Sequence, residues 1–250
     1  MGGLSLEPDE MRRLGYRTVD ALVAALTEMD APPLRRGTTA ELAAIVGGPA
    51  PELGEPYEDA LARLQRDVLP FGSRGDHPGF FAFIPFAGTW PGALGDFVAS
   101  AYNVFTGSWM ESAGASALEL QVVSWFAEWM GYPSTAEGVL VPGGSIANLI
   151  ALACARERAT GDDVVGYVSD QAHSSVARAA RVLGLRADQL RVLPSGTGHC
   201  LDPDVLRDAL AADVVAGRQP LFLVAGAGST NTGAVDPLRE LAEFCREFGV

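Results

Sequence analysis

The chain contains no lysine: all 18 of its basic residues are arginines, in 250 residues. It therefore offers no ε-amine for imine chemistry with a carbonyl compound, and no Gly-Lys-Ser/Thr phosphate loop. Histidine is scarce, at His77, His173 and His199. The three cysteines, Cys154, Cys200 and Cys245, are scattered and odd in number. They form neither a zinc spacing nor a disulfide framework, so no metal site is expected and a reducing cytoplasm is. No apolar run is long enough to span a bilayer. The first eight residues, Met1 to Pro8, lack the basic and apolar regions of a secretory leader, and Leu6 stands where a myristoylation signal needs Ser or Thr. Positive charge is in short supply overall. The net charge of −13 argues against nucleic acid or an anionic membrane as a partner.

What is present reads as an ordinary globular protein, with 48% apolar and 20% charged residues. Residues 1–87 read as a helical N-terminal segment. Apolar residues at helical spacing place helices at Pro8–Met29, ended by Ala31-Pro32-Pro33, and at Thr39–Val46 and Pro56–Val68. From residue 88 to 250 the pattern changes. Helices over Gly92–Asn103 and Ala115–Met130 precede an alternation of short apolar runs with amphipathic helices. The strand candidates are Val139–Val141, Val164–Ser169, Leu190–Leu193 and Leu221–Ala225. Between and after them lie helices Ser145–Arg158, Ser174–Leu183, Asp202–Ala216 and Pro237–Phe248. This alternation predicts an α/β layer with a mainly parallel sheet, whose ligands bind at the carboxyl ends of strands.

Three loops at such ends carry chemistry. Val141-Pro142-Gly143-Gly144-Ser145 leaves a strand and opens a helix. Its glycines allow close backbone approach, and the free N–H groups at the helix start suit a phosphate; a plain N-capped turn is the simpler reading. Ser169-Asp170-Gln171-Ala172-His173-Ser174-Ser175 places a histidine just past a strand, where it can stack on a flat ring, move a proton or merely cap a helix. Ala225-Gly226-Ala227-Gly228-Ser229-Thr230-Asn231-Thr232-Gly233 is a small-residue loop with hydroxyls that fails the dinucleotide fingerprint at Asn231. His77 and His199 read as structural, His199 in a solvated turn.

Together with His77-Pro78-Gly79-Phe80-Phe81-Ala82, Ser108-Trp109-Met110-Glu111-Ser112 and Ala234-Val235-Asp236-Pro237, these loops carry a resemblance. The chain resembles the N-terminal half of the group II pyridoxal-phosphate (PLP)-dependent amino-acid decarboxylases, the aromatic-L-amino-acid type in particular. The resemblance implies a fold-type-I PLP-dependent transferase-like large domain, incomplete here, with pyridoxal 5'-phosphate as cofactor and no metal. It implies a lyase that releases CO₂ and an amine from an amino-acid substrate, acting as a homodimer. Gly143, Gly144 and Ser145 would hold the phosphate. His173 would stack on the ring and take the catalytic role. Ser229, where the family usually has threonine, would meet the ring oxygen. Phe83, Pro85, Phe86 and Phe105 would line the substrate pocket, which suits an aromatic or other uncharged side chain. The family's ring-nitrogen aspartate and Schiff-base lysine are expected beyond Val250, so these residues alone are expected to be inactive.

Other readings stay open at this point. A glutamate- or aspartate-type decarboxylase would need a charge partner, for which Arg74 is nearest. An aldehyde-forming decarboxylase is a variant of the same chemistry. A non-catalytic truncated or split subunit is favoured by the absent lysine. Gly143-Gly144-Ser145-Ile146-Ala147 approximates the elbow of a serine hydrolase, with Asp170 and His199 as distant candidates for its partners.

Overall fold

The computed structural model describes residues 6–81 and 87–250. Its contacts divide the chain into two units, Met1–Tyr102 and Asn103–Val250.

The first unit is helical. Helix α1, Pro8–Thr27, begins with a proline whose missing N–H costs nothing there, followed by Asp9 and Glu10 beside the positive end of the dipole. Arg13 on α1 pairs with Glu10 and with Glu58 on α3, Tyr57–Asp67. Helix α2, Thr39–Val46, comes between them in sequence and starts in a full capping box made by Thr38 and Glu41. Arg74 donates to the carbonyls of Ala25 (3.0 Å), Leu26 (3.1 Å) and Glu28 (3.3 Å), which finishes the C-terminus of α1, and pairs with Asp76 at 2.7 Å. His77 is also structural: Nδ1 accepts from Gly79 N at 2.9 Å, and Nε2 lies 3.0 Å from the carbonyl of Met29. Helix α4 covers Trp90–Tyr102.

The second unit opens with α5, Trp109–Trp129, which kinks at Ser112. The αβ alternation follows: α6 (Gly144–Glu157), β1 (Val164–Ser169), α7 (Ser174–Val182), β2 (Leu190–Leu193), α8 (Pro203–Val215), β3 (Gln219–Val224) and α9 (Leu238–Phe248). The strands form one parallel sheet in the order β2-β1-β3. Central β1 is buried along its whole length, as a parallel strand covered on both faces must be. Its alternate side chains feed two cores. Val164 and Val168 pack with Leu152, Val176, Ala179 and Phe222 under α6 and α7, while Val165 and Tyr167 pack with Leu206, Leu210, Leu241 and Phe244 under α8 and α9. Gly166 has to be glycine: the Phe222 ring lies within 2.1 Å of where a Cβ would stand.

The α/β reading holds, and β1 and β2 match their expected limits residue for residue. Val139–Val141 is a correction. It pairs with no strand among the described residues, and Leu140 N instead donates to the Glu119 carboxylate on α5 at 3.0 Å. A short apolar run becomes a strand only where another strand receives its backbone groups.

Candidate functional site

A cleft of about 250 Å³ opens at the carboxyl end of the sheet in the second unit. The loop after β1 contributes Gln171, Ala172 and His173, and the loop after β2 contributes His199. The loop after β3 contributes Gly226, Gly228, Ser229, Thr230, Ala234 and Asp236, and Asn148 enters from α6. Parallel strands ending side by side bring residues far apart in sequence to one place.

His173 is the N-cap of α7, with extended backbone (φ −60°, ψ 139°). Its Nδ1 accepts from Ser175 N at 3.2 Å and lies 2.8 Å from Ser175 Oγ. Asn148 Nδ2 donates to the same Oγ at 2.8 Å. The ring is thereby fixed on one edge, while its other edge has no partner among the described residues.

The loop after β3 is held by Asp236, which is buried. One carboxylate oxygen accepts from Gly226 N at 2.6 Å and the other from Leu201 N at 2.7 Å. Asp236 N also donates to Gly226 O at 2.8 Å. Both oxygens are committed to backbone donors, so this carboxylate shapes the cleft floor and ties two strand-end loops together. Ser229 closes the loop tip: its N donates to Ala234 O at 2.8 Å and its hydroxyl meets that of Thr232. At the rim, hydrogen bonds from Ser195 and Gln171, with His199 nearby, hold the Asp170 carboxyl below its ordinary value.

Of the residues singled out from sequence, His173 and Ser229 line this cleft. Gly143, Gly144 and Ser145 stand at the start of α6 and do not line it; Asn148, one turn further along, does. Ser145 borders a smaller hollow with Leu149, Ser175 and Arg178. Gly143 has φ 92°, open only to glycine without strain. No atom lies within 4 Å of a Cβ built at Gly143 or Gly144. The N–H groups of Gly144 and Ser145 are left free by helix geometry. Phe105 is 56% exposed and not part of the cleft; its N–H donates to Ser112 Oγ at 3.3 Å. Phe83, Pro85 and Phe86 lie outside the described residues.

Sequence reasoning missed Asn148, Asp236 and His199. His199, with left-handed backbone (φ 58°), lines the cleft wall rather than standing in a merely solvated turn. The signal exists in the sequence: His199 follows β2 as His173 follows β1, and ligands gather at strand ends.

The residues fit pyridoxal phosphate. A helix start with free N–H groups and open space suits a dianionic phosphate. A cleft floored by glycine and alanine, with one imidazole held by its edge, admits a flat ring.

Comparison with known proteins agrees. A family model described as "Pyridoxal-dependent decarboxylase conserved domain" matches residues 41–250. An aromatic-L-amino-acid decarboxylase of Bacillus atrophaeus is 36% identical over 99% of this chain and 52% of its own length. A phenylacetaldehyde synthase of Petunia hybrida is 32% identical over 98% of this chain and 52% of its own length. The crystal structure of Catharanthus roseus tryptophan decarboxylase in complex with L-tryptophan superposes with a TM-score of 0.92 at 31% identity, covering 99% of this chain and 56% of that one. The chain thus spans about half the length of the curated relatives it matches.

Proposed function

The chain belongs to the pyridoxal-dependent decarboxylase family, and from that premise we propose that it forms part of an enzyme that removes CO₂ from an aromatic or otherwise uncharged L-amino acid. The observation that carries the reading is His173. It lies in one of the runs that carry the family resemblance, and it lines a cleft built from successive strand ends, as does Ser229. When bound, the cofactor's protonated ring supplies a sink for the electron pair left at Cα as the carboxylate departs.

The chain's own residues have four tasks. Gly144 and Ser145 hold the phosphate through backbone N–H groups, with the Ser145 hydroxyl beside them. Gly226 and Gly228 let the backbone come close to the ring. Ser229 presents a hydroxyl to the ring oxygen. His173 lies against the ring and holds a proton at the cleft edge, which helps decide which Cα bond breaks. The lysine that secures the cofactor is not among these 250 residues, so activity is assigned to a protein that supplies one together with them.

Arg74 bears on the substrate. It is spent on three carbonyls and on Asp76, so it is not free to meet a second carboxylate. The aromatic-substrate relatives support the same preference. Phe83, Pro85, Phe86 and Phe105 remain the proposed lining of the side-chain pocket. A homodimer working in the cytoplasm completes the proposal; light scattering that gave a monomer would remove the first part of it.

A second reading is favoured by one relative, the phenylacetaldehyde synthase: decarboxylation coupled to oxidative deamination, with dissolved O₂ as the two-electron oxidant, reduced to H₂O₂. Product analysis of the whole, lysine-supplying protein with tyrosine and tryptophan tests both. The proposal expects CO₂ and the matching amine in equal amounts. Aldehyde and ammonia in place of the amine would select the second reading, and no CO₂ from any L-amino acid would refute both.

A further inference from the structure

We propose that Asn148 is a positioning residue for His173, acting through Ser175 to fix the imidazole proton on Nε2. The inference deepens the proposed function and rests on it only for its catalytic consequence. Ser175 is buried, 2% exposed, in the first turn of α7. Its N–H points at His173 Nδ1 from 3.2 Å, and its Oγ lies 2.8 Å from the same nitrogen. A ring nitrogen that accepts from an amide N–H carries no proton, so the Ser175 hydroxyl donates to it as well. That hydroxyl has one proton. Once it is given to Nδ1, the oxygen can only accept, and Asn148 Nδ2 at 2.8 Å is the donor it accepts from.

The bonds have one self-consistent direction, from Asn148 to Ser175 to His173. It settles which end of the Asn148 amide faces Ser175 and which nitrogen of the neutral imidazole keeps its proton. Nε2 has no partner among the described residues, and His173 lines the cleft. The free edge therefore offers a donor, which suits an anionic oxygen of cofactor or substrate. The relay also links α6, which begins at the proposed phosphate loop, to α7, which His173 caps.

The test is ¹⁵N NMR of the whole protein labelled at histidine, with the His173 signal identified by its loss in His173→Asn. The wild type should show a protonated Nε2 and an unprotonated Nδ1. Asn148→Asp keeps the side-chain shape and reverses its sense. A carboxylate only accepts, so the Ser175 hydroxyl turns toward it, and Ser175 Oγ then accepts from a protonated Nδ1 at the expense of the longer amide bond. Asn148→Leu should give a mixture of tautomers. A wild-type His173 protonated on Nδ1, or Asn148→Asp with the wild-type pattern, overturns the relay. Kinetics separate the two ideas. The switch should lower kcat about tenfold or more, with KM and PLP affinity little changed. A switched tautomer with unchanged kcat would support the relay and overturn the catalytic role given to His173.

Discussion

Asp213 on α8 has no solvent exposure, yet it stays charged because three partners surround it. Tyr167 on β1 donates at 2.8 Å, Arg191 on β2 makes two bonds at 2.5 Å, and Arg218 lies 3.6 Å away. Burial pushes its carboxyl up, but the hydrogen bonds from Arg191 and Tyr167 outweigh burial and hold it below the ordinary value. Burial, then the Asp213 carboxylate, push the Tyr167 hydroxyl the other way, upward. A carboxyl whose folded value is depressed adds stability above its unfolded value, about 3.9, and loses it as pH falls through the folded one. Asp213→Ala should cost about 3 kcal/mol, the low end for a buried pair because Arg191 is partly in solvent. Denaturant unfolding at pH 7 and pH 3 checks this, with a smaller difference between variant and wild type at the lower pH. In the cleft, His173→Gln in the whole protein should lower kcat about a hundredfold while PLP still binds. Near-normal turnover would reduce His173 to a helix cap.

At the scale of elements, the turn into α6 is the proposed phosphate site. Gly143→Ala forces a side chain into φ 92°, which should cost about 1–3 kcal/mol and weaken PLP binding about tenfold, read by fluorescence titration. In the first unit, Thr38→Ala breaks the capping box of α2 and should cost that helix about 1 kcal/mol, visible as faster hydrogen exchange of its first amides. Most of the second unit was legible because its elements obey local rules. Val164–Ser169 is an apolar run between acidic residues and a polar loop, and α9 carries its buried Leu241 and Phe244 on one stripe. Val139–Val141 looked equally strand-like and was not, because pairing is settled by a distant partner. The site was legible in part for the same reason. His173 and Ser229 stand in recognisable loops. Asn148 sits inside α6, past its opening turn, and Asp236 acts through backbone amides ten and 35 residues away, Gly226 and Leu201. Only folding reveals those roles.

For the whole molecule, the proposed activity is PLP-dependent decarboxylation of an aromatic or otherwise uncharged amino acid. The charge balance sharpens it. An acidic substrate approaching a chain of net charge −13 needs a dedicated cation, since an unpaired buried carboxylate is costly. Arg74, the arginine nearest in sequence to the proposed pocket segment, is already bonded to the end of α1 and to Asp76. The most direct measurement is therefore kcat/KM of the PLP-loaded whole protein, followed by CO₂ release, for tyrosine, tryptophan, phenylalanine and DOPA against glutamate and aspartate. At least one aromatic substrate should be favoured over both acids by about a hundredfold or more, the discrimination expected when a charge has no partner. A preference for glutamate or aspartate would contradict it.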